Sequence, residues 1–234
     1  MGPAIAASAR LLVVASAVLV AACSPPASDG VNATGSTPPP TAAGSAASDP
    51  VDAVFRVMAE ACGTGVEGLA TGVALTGRHI VTVAHTFDDA AAVEVAGSDG
   101  IRHPVDVVWL DAERDLAVLR VSGPIVPWLA LAEAERGEAV TVLSAGEDGI
   151  ETKPAAVLRL VDVSLDGVGK RAGLELEVEV GLGDSGSPVV AESGAVVGVV
   201  FASDRNDSRG WAIAATELEA ALRRSESGPV PLSC

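Results

Sequence analysis

From residue 72 onward the chain is built of short Val-rich and Leu-rich runs separated by Gly, Asp and Ser. A first set comprises Gly72 to Leu75, His79 to Val83, Ala92 to Val95, Val105 to Leu110 and Leu116 to Val121. A second set comprises Ala139 to Leu143, Ala155 to Leu165, Leu174 to Val180, Pro188 to Val190, Ala195 to Phe201 and Trp211 to Ala214. Many short strands at close spacing predict an all-β barrel or sandwich. The stretch Gly123 to Glu138 holds two prolines and little strand character, so the boundary between two half-domains is expected there. One helix is predicted, near the end. Thr216-Glu217-Leu218-Glu219 fits a capping box, in which hydroxyl and carboxylate satisfy each other's free backbone N–H groups, and the helix would run from about 216 to about 224. Residues 51 to 61 fit neither the helical nor the strand period, and both remain open.

The N-terminal pattern is different. One positive charge, Arg10, precedes an almost wholly apolar run from Leu11 to Ala22. That is signal-peptide architecture, and the run is too short for a permanent membrane span, which needs about 20 residues. It ends in Val20-Ala21-Ala22-Cys23, which resembles the lipobox of bacterial lipoproteins. The resemblance implies removal of residues 1–22 and lipidation of Cys23; an ordinary cleavage site beside a cysteine is the plainer alternative. Residues 23–50 are dominated by Ala, Ser, Gly, Pro and Thr, with Pro38-Pro39-Pro40 among them, and read as a disordered tether. The folded domain is then 51–234.

Charge and cysteine count narrow the setting. The formal net charge is −16, and −17 once the segment carrying Arg10 is gone. A field of that sign repels nucleic acid and anionic headgroups, so membrane contact would come from the lipid. Of three cysteines, lipidation of Cys23 leaves Cys62 and Cys234. In an exported chain these two are expected to form a disulfide, with two unpaired thiols as the alternative. With no tyrosine, three phenylalanines and three tryptophans, the core must be mainly aliphatic.

Three motifs carry the chemistry. Gly183-Asp184-Ser185-Gly186-Ser187-Pro188 lies between two strand-like runs, Ile80-Val81-Thr82-Val83-Ala84-His85 ends a strand, and Asp115-Leu116-Ala117-Val118-Leu119 begins one. Together they resemble the trypsin-like serine peptidases, whose corresponding segments read Gly-Asp-Ser-Gly-Gly-Pro, Thr-Ala-Ala-His and Asp-Leu-Ala-Leu-Leu. His85 precedes Asp115 by 30 residues and Asp115 precedes Ser185 by 70, the chain order of that family and not of subtilisin or the α/β-hydrolases.

The resemblance covers roughly residues 62 to 215. It implies two packed six-stranded antiparallel β-barrels, a first over about 62–124 and a second over about 136–215, with the helix following. It also implies Ser185 as nucleophile, His85 as base, Asp115 as orienting carboxylate, and the N–H groups of Gly183 and Ser185 as oxyanion donors. Histidine suits the base because its ordinary pKa, near 6.5, lies close to neutral pH. His79 and His103 lack such a context, and Asp111 is assigned to a turn.

Gly65 to Leu75 and Gly210-Trp211-Ala212-Ile213-Ala214 resemble segments of the Deg-type proteases and their short extracytoplasmic cousins. No peptide-binding PDZ module is expected after Cys234, which favours a monomer over an oligomeric cage. One departure is that a tethered N-terminus offers no freed α-amine to Asp184, so that carboxylate needs another partner or faces solvent. By family geometry the primary pocket would draw on Glu179, Phe201, Ala202, Ser203 and Trp211. Glu179 at its base would favour Lys or Arg before the scissile bond; against this, Glu175, Glu177 and Glu179 alternate with apolar residues, as on a strand with a solvated face.

No Cys/His cluster, phosphate loop or basic aromatic patch occurs, and no cofactor or metal is expected. The expected function is extracytoplasmic hydrolysis of polypeptide substrates. A catalytically silent or partner-activated binding or sensor lipoprotein on the same fold is the alternative.

Overall fold

The computed structural model describes residues 46–63, 67–123, 126–165, 168–204, 208–225, 228–232 and 234. The expected signal segment, Cys23 and most of the expected tether lie outside the described residues. The chain divides into two units, 1–40 and 41–234, and everything that follows concerns the second.

Among the described residues, twelve strands and one α-helix follow a 3-10 turn at Pro50–Ala53. The first six are β1 (Val54–Ala61), β2 (Glu67–Ala74), β3 (His79–Thr82), β4 (Ala90–Ala96), β5 (Arg102–Asp111) and β6 (Leu116–Val121). They close a barrel in the order β1-β2-β3-β6-β5-β4, every neighbouring pair antiparallel. The next six are β7 (Ala139–Gly146), β8 (Gly149–Leu165), β9 (Val168–Glu177), β10 (Pro188–Ala191), β11 (Val196–Asp204) and β12 (Arg209–Ala214). They close a second barrel in the order β10-β11-β12-β9-β8-β7. Helix α1 (Ala215–Arg224) follows β12 directly. The expected two six-stranded antiparallel barrels with a C-terminal helix are therefore the observed fold.

The undecided segment 51–61 resolves into two elements. Asp49 Oδ1 caps the turn by accepting the Val51 N–H, and β1 then pairs with β2 on one side and β4 on the other. Val54, Phe55, Val57, Met58 and Ala59 are all buried, so apolar positions fall on both faces of the strand and blur a period of two. The first barrel therefore begins at Val54, ahead of the expected start near 62. Residues at the end of the expected tether are also part of the folded unit, since the Ala47 N–H donates to Trp128 O at 2.9 Å.

Two readings of the second half are corrected. Helix α1 carries no side-chain cap: it starts one residue early, with extended Ala214 at the N-cap position. Glu217 turns away to accept the Ala172 N–H and pair with Arg114, while Glu219 pairs with Arg223, so no capping box forms. The expected solvated face of Glu175, Glu177 and Glu179 fails at Glu175, which is 2% exposed. β9 lies between β8 and β12, and Arg159 and Arg209 reach over from those strands to bind the two oxygens of its carboxylate. A buried carboxylate persists only when paired in this way.

The barrel cores are aliphatic, built on Val54, Val57, Val73, Ile80 and Leu119 in the first and on Val142, Leu176, Val189 and Val200 in the second. Buried Thr71 on β2 bonds the barrels together. Its N–H donates to Ser185 O at 2.8 Å, its hydroxyl donates to Gly183 O at 3.1 Å and accepts the Ala145 N–H at 2.9 Å, and its carbonyl accepts the Thr82 hydroxyl at 2.7 Å. A disulfide joins Cys62 to Cys234 across a sequence separation of 172.

Thr71→Val keeps the shape but strands the Gly183 carbonyl and the Ala145 N–H. It should lower stability by about 1–3 kcal/mol for each group left unpaired, read by urea unfolding. Replacing both Cys62 and Cys234 by Ser should cost about 2–4 kcal/mol in the same assay, because the freed unfolded chain regains the entropy of a long closed loop.

Candidate active site

The candidate residues come from both barrels and meet between them. His85 opens a 3-10 turn three residues past the end of β3, whose residues Ile80, Val81 and Thr82 are buried and fix where the strand ends. Asp115 ends the turn from Ala112 that joins β5 to β6, with φ at 52°. Aspartate is among the few non-glycine residues that enter this left-handed region readily. The conformation sets the carboxylate inward ahead of the buried strand β6, and Asp115 is 1% exposed. Ser185 lies in the loop between β9 and β10, tied to the first barrel by its carbonyl on Thr71.

His85 Nδ1 lies 2.9 Å and 3.0 Å from the two carboxylate oxygens of Asp115, and Oδ1 also accepts the His85 backbone N–H at 2.9 Å. Against a carboxylate Nδ1 must carry the proton, which leaves Nε2 as the acceptor. Nε2 stands 3.2 Å from Ser185 Oγ. The hydrogen bond to Asp115 holds the His85 pKa above its ordinary value; burial works the other way, and the charges of Asp115 and Asp88 add to the rise. Expected histidine, aspartate and serine are thus brought into one hydrogen-bonded line. Asp111, the competing carboxylate, accepts the Arg114 N–H and pairs with its guanidinium in the turn. His79 is bonded through Nδ1 to Thr76 Oγ1 at 3.1 Å, away from the line.

The loop around Ser185 is held at many points. Ser187 N–H donates to Asp184 O, Gly186 N–H to Val200 O, and the Ser187 hydroxyl to the buried Ser144 hydroxyl. Gly186 has φ at +83°, and a Cβ there would stand 1.9 Å from Thr71 O, so only glycine fits. Among the described residues neither the Gly183 nor the Ser185 N–H donates to an acceptor in the protein. Those two donors flank Asp184, whose carboxylate is turned inward.

Several charged or polar contacts escaped the sequence reading. Lys153 on β8 places Nζ 2.7 Å from Asp184 Oδ2, which also accepts the Gly181 N–H at 2.7 Å. Burial acts against the Lys153 ammonium, but the bond to Asp184 and the charges of Asp184 and Glu151 outweigh it and hold its pKa above the ordinary lysine value. Lys153 is one of two lysines in the chain, a compositional hint, yet nothing local links it to residue 184. Buried Arg171 lies over the Phe201 ring, 4.6 Å from its centroid, and donates through Nη1 to Glu113 O. Burial lowers its pKa, against the opposing charge of Asp115.

The expected pocket residues are only partly assembled. Exposed Glu179 lines a hollow of about 290 Å³ with Val180, Gly181, Leu182, Asp204 and Ser208. Phe201, Ala202, Ser203 and Trp211 are not among the residues lining it. Phe201 is covered by Arg171, while Ala202 and Trp211 face each other across β11 and β12. No group of residues suited to a metal ion occurs among those described.

Comparison with known proteins follows the same lines. A relative from Chlamydia pneumoniae, described as a probable periplasmic serine endoprotease, DegP-like, is 26% identical over 131 residues. The match takes in 52% of this chain but spans only 26% of the relative's length. The active form of the Rv3671c protease from M. tuberculosis superposes with a TM-score of 0.71 at 24% identity, covering 79% of this chain and 85% of that one. Its inactive form gives 0.64 at 26% identity, covering 76% and 90%. The profile of the trypsin-like peptidase domain matches residues 70–199, more than half of the sequence, and the chain belongs to that family.

Proposed function

We propose that this chain is an extracytoplasmic serine endopeptidase that cleaves polypeptides through an acyl-enzyme on Ser185. The observation that carries the reading is the continuous line from the buried Asp115 carboxylate through His85 to the Ser185 hydroxyl, with contacts of 2.9 Å and 3.2 Å. Both lie within the reach expected of an activated nucleophile and its oriented base.

In this reading Ser185 Oγ attacks the scissile carbonyl carbon while its proton passes to His85 Nε2. Asp115 stabilises the imidazolium without taking the proton. The carbonyl oxygen becomes an oxyanion facing the N–H groups of Gly183 and Ser185. Collapse breaks the C–N bond, and the leaving amine takes the proton from His85. A water molecule then repeats the sequence, His85 acting as base and then as acid, and releases the new carboxylate and free Ser185. No cofactor has a part in these steps.

The extracytoplasmic placement is supported by the signal-like N-terminus, by the Cys62–Cys234 disulfide, which persists in an oxidising compartment, and by a relative described as periplasmic. Among the described residues no helix is long and apolar enough to cross a membrane. Lipidation at Cys23 is the proposed means of attachment, and the proposed working unit is a monomer.

A fluorophosphonate probe should label the protein, and Ser185→Ala should abolish labelling; undiminished labelling of the variant contradicts the assignment. Only neutral His85 can accept the serine proton, and Asp115 raises its pKa. Activity should therefore be lost as pH falls through an apparent pKa above 6.5, the ordinary histidine value. Asp115→Asn removes the largest cause of the rise, so it should move that limb to lower pH and cut kcat by about 10⁴-fold.

A further inference from the structure

We propose that Lys153 is a positioning residue for this reaction: an internal ammonium that clamps Asp184 and thereby keeps the Gly183 and Ser185 N–H groups aimed at one point. The inference rests on the reading of Ser185 as nucleophile and extends it to how the site is kept competent.

The peptide unit after Asp184 carries the Ser185 N–H, while the Gly183 N–H lies one peptide before the unit that joins Gly183 to Asp184, so a shift of the Asp184 side chain acts directly on the first donor and through the Gly183 backbone on the second. The Asp184 side chain is 5% exposed and Lys153 Nζ is 2.7 Å away. Among the described residues no other cation lies within ion-pair distance of it. The remaining contact to the same oxygen is the Gly181 N–H, one neutral donor. A buried carboxylate stripped of its counter-ion is strongly disfavoured and seeks water. Gly181, Gly183 and Gly186 bracket Asp184, and glycine backbone offers little resistance to such a swing.

Lys153 is well placed to prevent that. It stands within β8, opposite Val142 of β7, and β7 in turn pairs with β10, which carries the Ser185 loop into the barrel. Clamp and loop are therefore fixed to the same sheet. Other charged groups face the ammonium: Glu151 on its own strand at 3.4 Å, and Glu179, which shares with it a hollow of about 480 Å³ lined also by Thr152, Val178 and Gly181. Both are acidic, so nothing on that side competes with Lys153 for Asp184. With the cation supplied from inside the fold, competence does not wait on a freed α-amine. The open hollow also gives a small amine a route to Asp184 if the lysine stem is removed.

The test uses the full chain as wild type and as Lys153→Ala, Lys153→Met, Lys153→Arg and Ser185→Ala, with Lys153→Met standing in if the alanine variant does not fold. Fluorophosphonate labelling and steady-state peptide hydrolysis are measured beside hydrogen exchange of residues 181–187. Lys153→Ala and Lys153→Met should slow labelling and lower kcat by about 10²–10³-fold, the range for loss of an oxyanion donor, while KM moves by about threefold or less. Propylammonium, which replaces the missing stem and charge, should restore the alanine variant saturably, whereas propanol should not. Lys153→Arg should keep more activity than Lys153→Met. Exchange at 181–187 should quicken in the neutral variants while β8 and β9 stay protected. Labelling of Lys153→Ala within about twofold of wild type, or unchanged exchange at 181–187, overturns the proposal. If wild type does not label, or labels independently of Ser185, the peptidase reading fails. The exchange result then still decides whether Lys153 positions the loop.

Discussion

Neither barrel holds the candidate site alone. His85 and Asp115 stand on the first and Ser185 with Gly183 on the second, so the 3.2 Å between imidazole and hydroxyl is set by how the two barrels meet. Thr71 governs that meeting. A single buried residue on β2 bonds to Gly183, Ser185, Ala145 and Thr82, and Gly186 has no side chain because the Thr71 carbonyl occupies that space. Rigid strands fix each half, and these polar bonds, beside an apolar cluster that takes in residues of both barrels, fix one half against the other. The apolar cluster holds the halves together, and the polar bonds add direction, because a buried donor or acceptor that loses its partner is costly and the docked geometry is therefore sharply preferred.

Charge is arranged around the site in two separate layers. Next to the reacting atoms, the Asp115 carboxylate raises the pKa of His85 and fixes its tautomer. In the loop that carries the Gly183 and Ser185 N–H groups, the Lys153–Asp184 pair sits where solvent barely reaches the carboxylate. Each buried acid has its own donors, and a third, Glu175, is enclosed by Arg159 and Arg209 in the wall of the second barrel. The net charge of −16 coexists with buried carboxylates because those inside are individually matched, and the excess lies on the surface.

Much of this was legible in the sequence, and the reason is local. The three motifs each place a candidate residue at the end or start of a strand or in a glycine-bounded turn, so their resemblance to those of the trypsin-like family pointed to His85, Asp115 and Ser185, which the fold brings within hydrogen-bonding reach of one another. Strands such as β6 and β11 announced themselves as apolar runs between turn residues. What was hidden depends on distant partners. β1 lost its period because buried apolar residues, Val54 and Met58 on one face and Phe55, Val57 and Ala59 on the other, occupy both faces. Glu175 looked solvated because its arginines come from neighbouring strands. The capping box gave way to Glu217 binding Arg114 and Ala172. Lys153 and Thr71 carry no signal within their own segments; each matters only through what the fold sets against it.

The central claim is that Ser185 Oγ, relieved of its proton by His85, bonds to a carbonyl carbon whose oxygen turns to the Gly183 and Ser185 N–H groups. A crystal structure of the protein trapped with a peptidyl phosphonate tests this most directly. The account predicts a covalent bond at Ser185 Oγ and a phosphonyl oxygen about 2.7–3.1 Å from both nitrogens. A bond at any other side chain, or an oxygen turned away from both N–H groups, would contradict it.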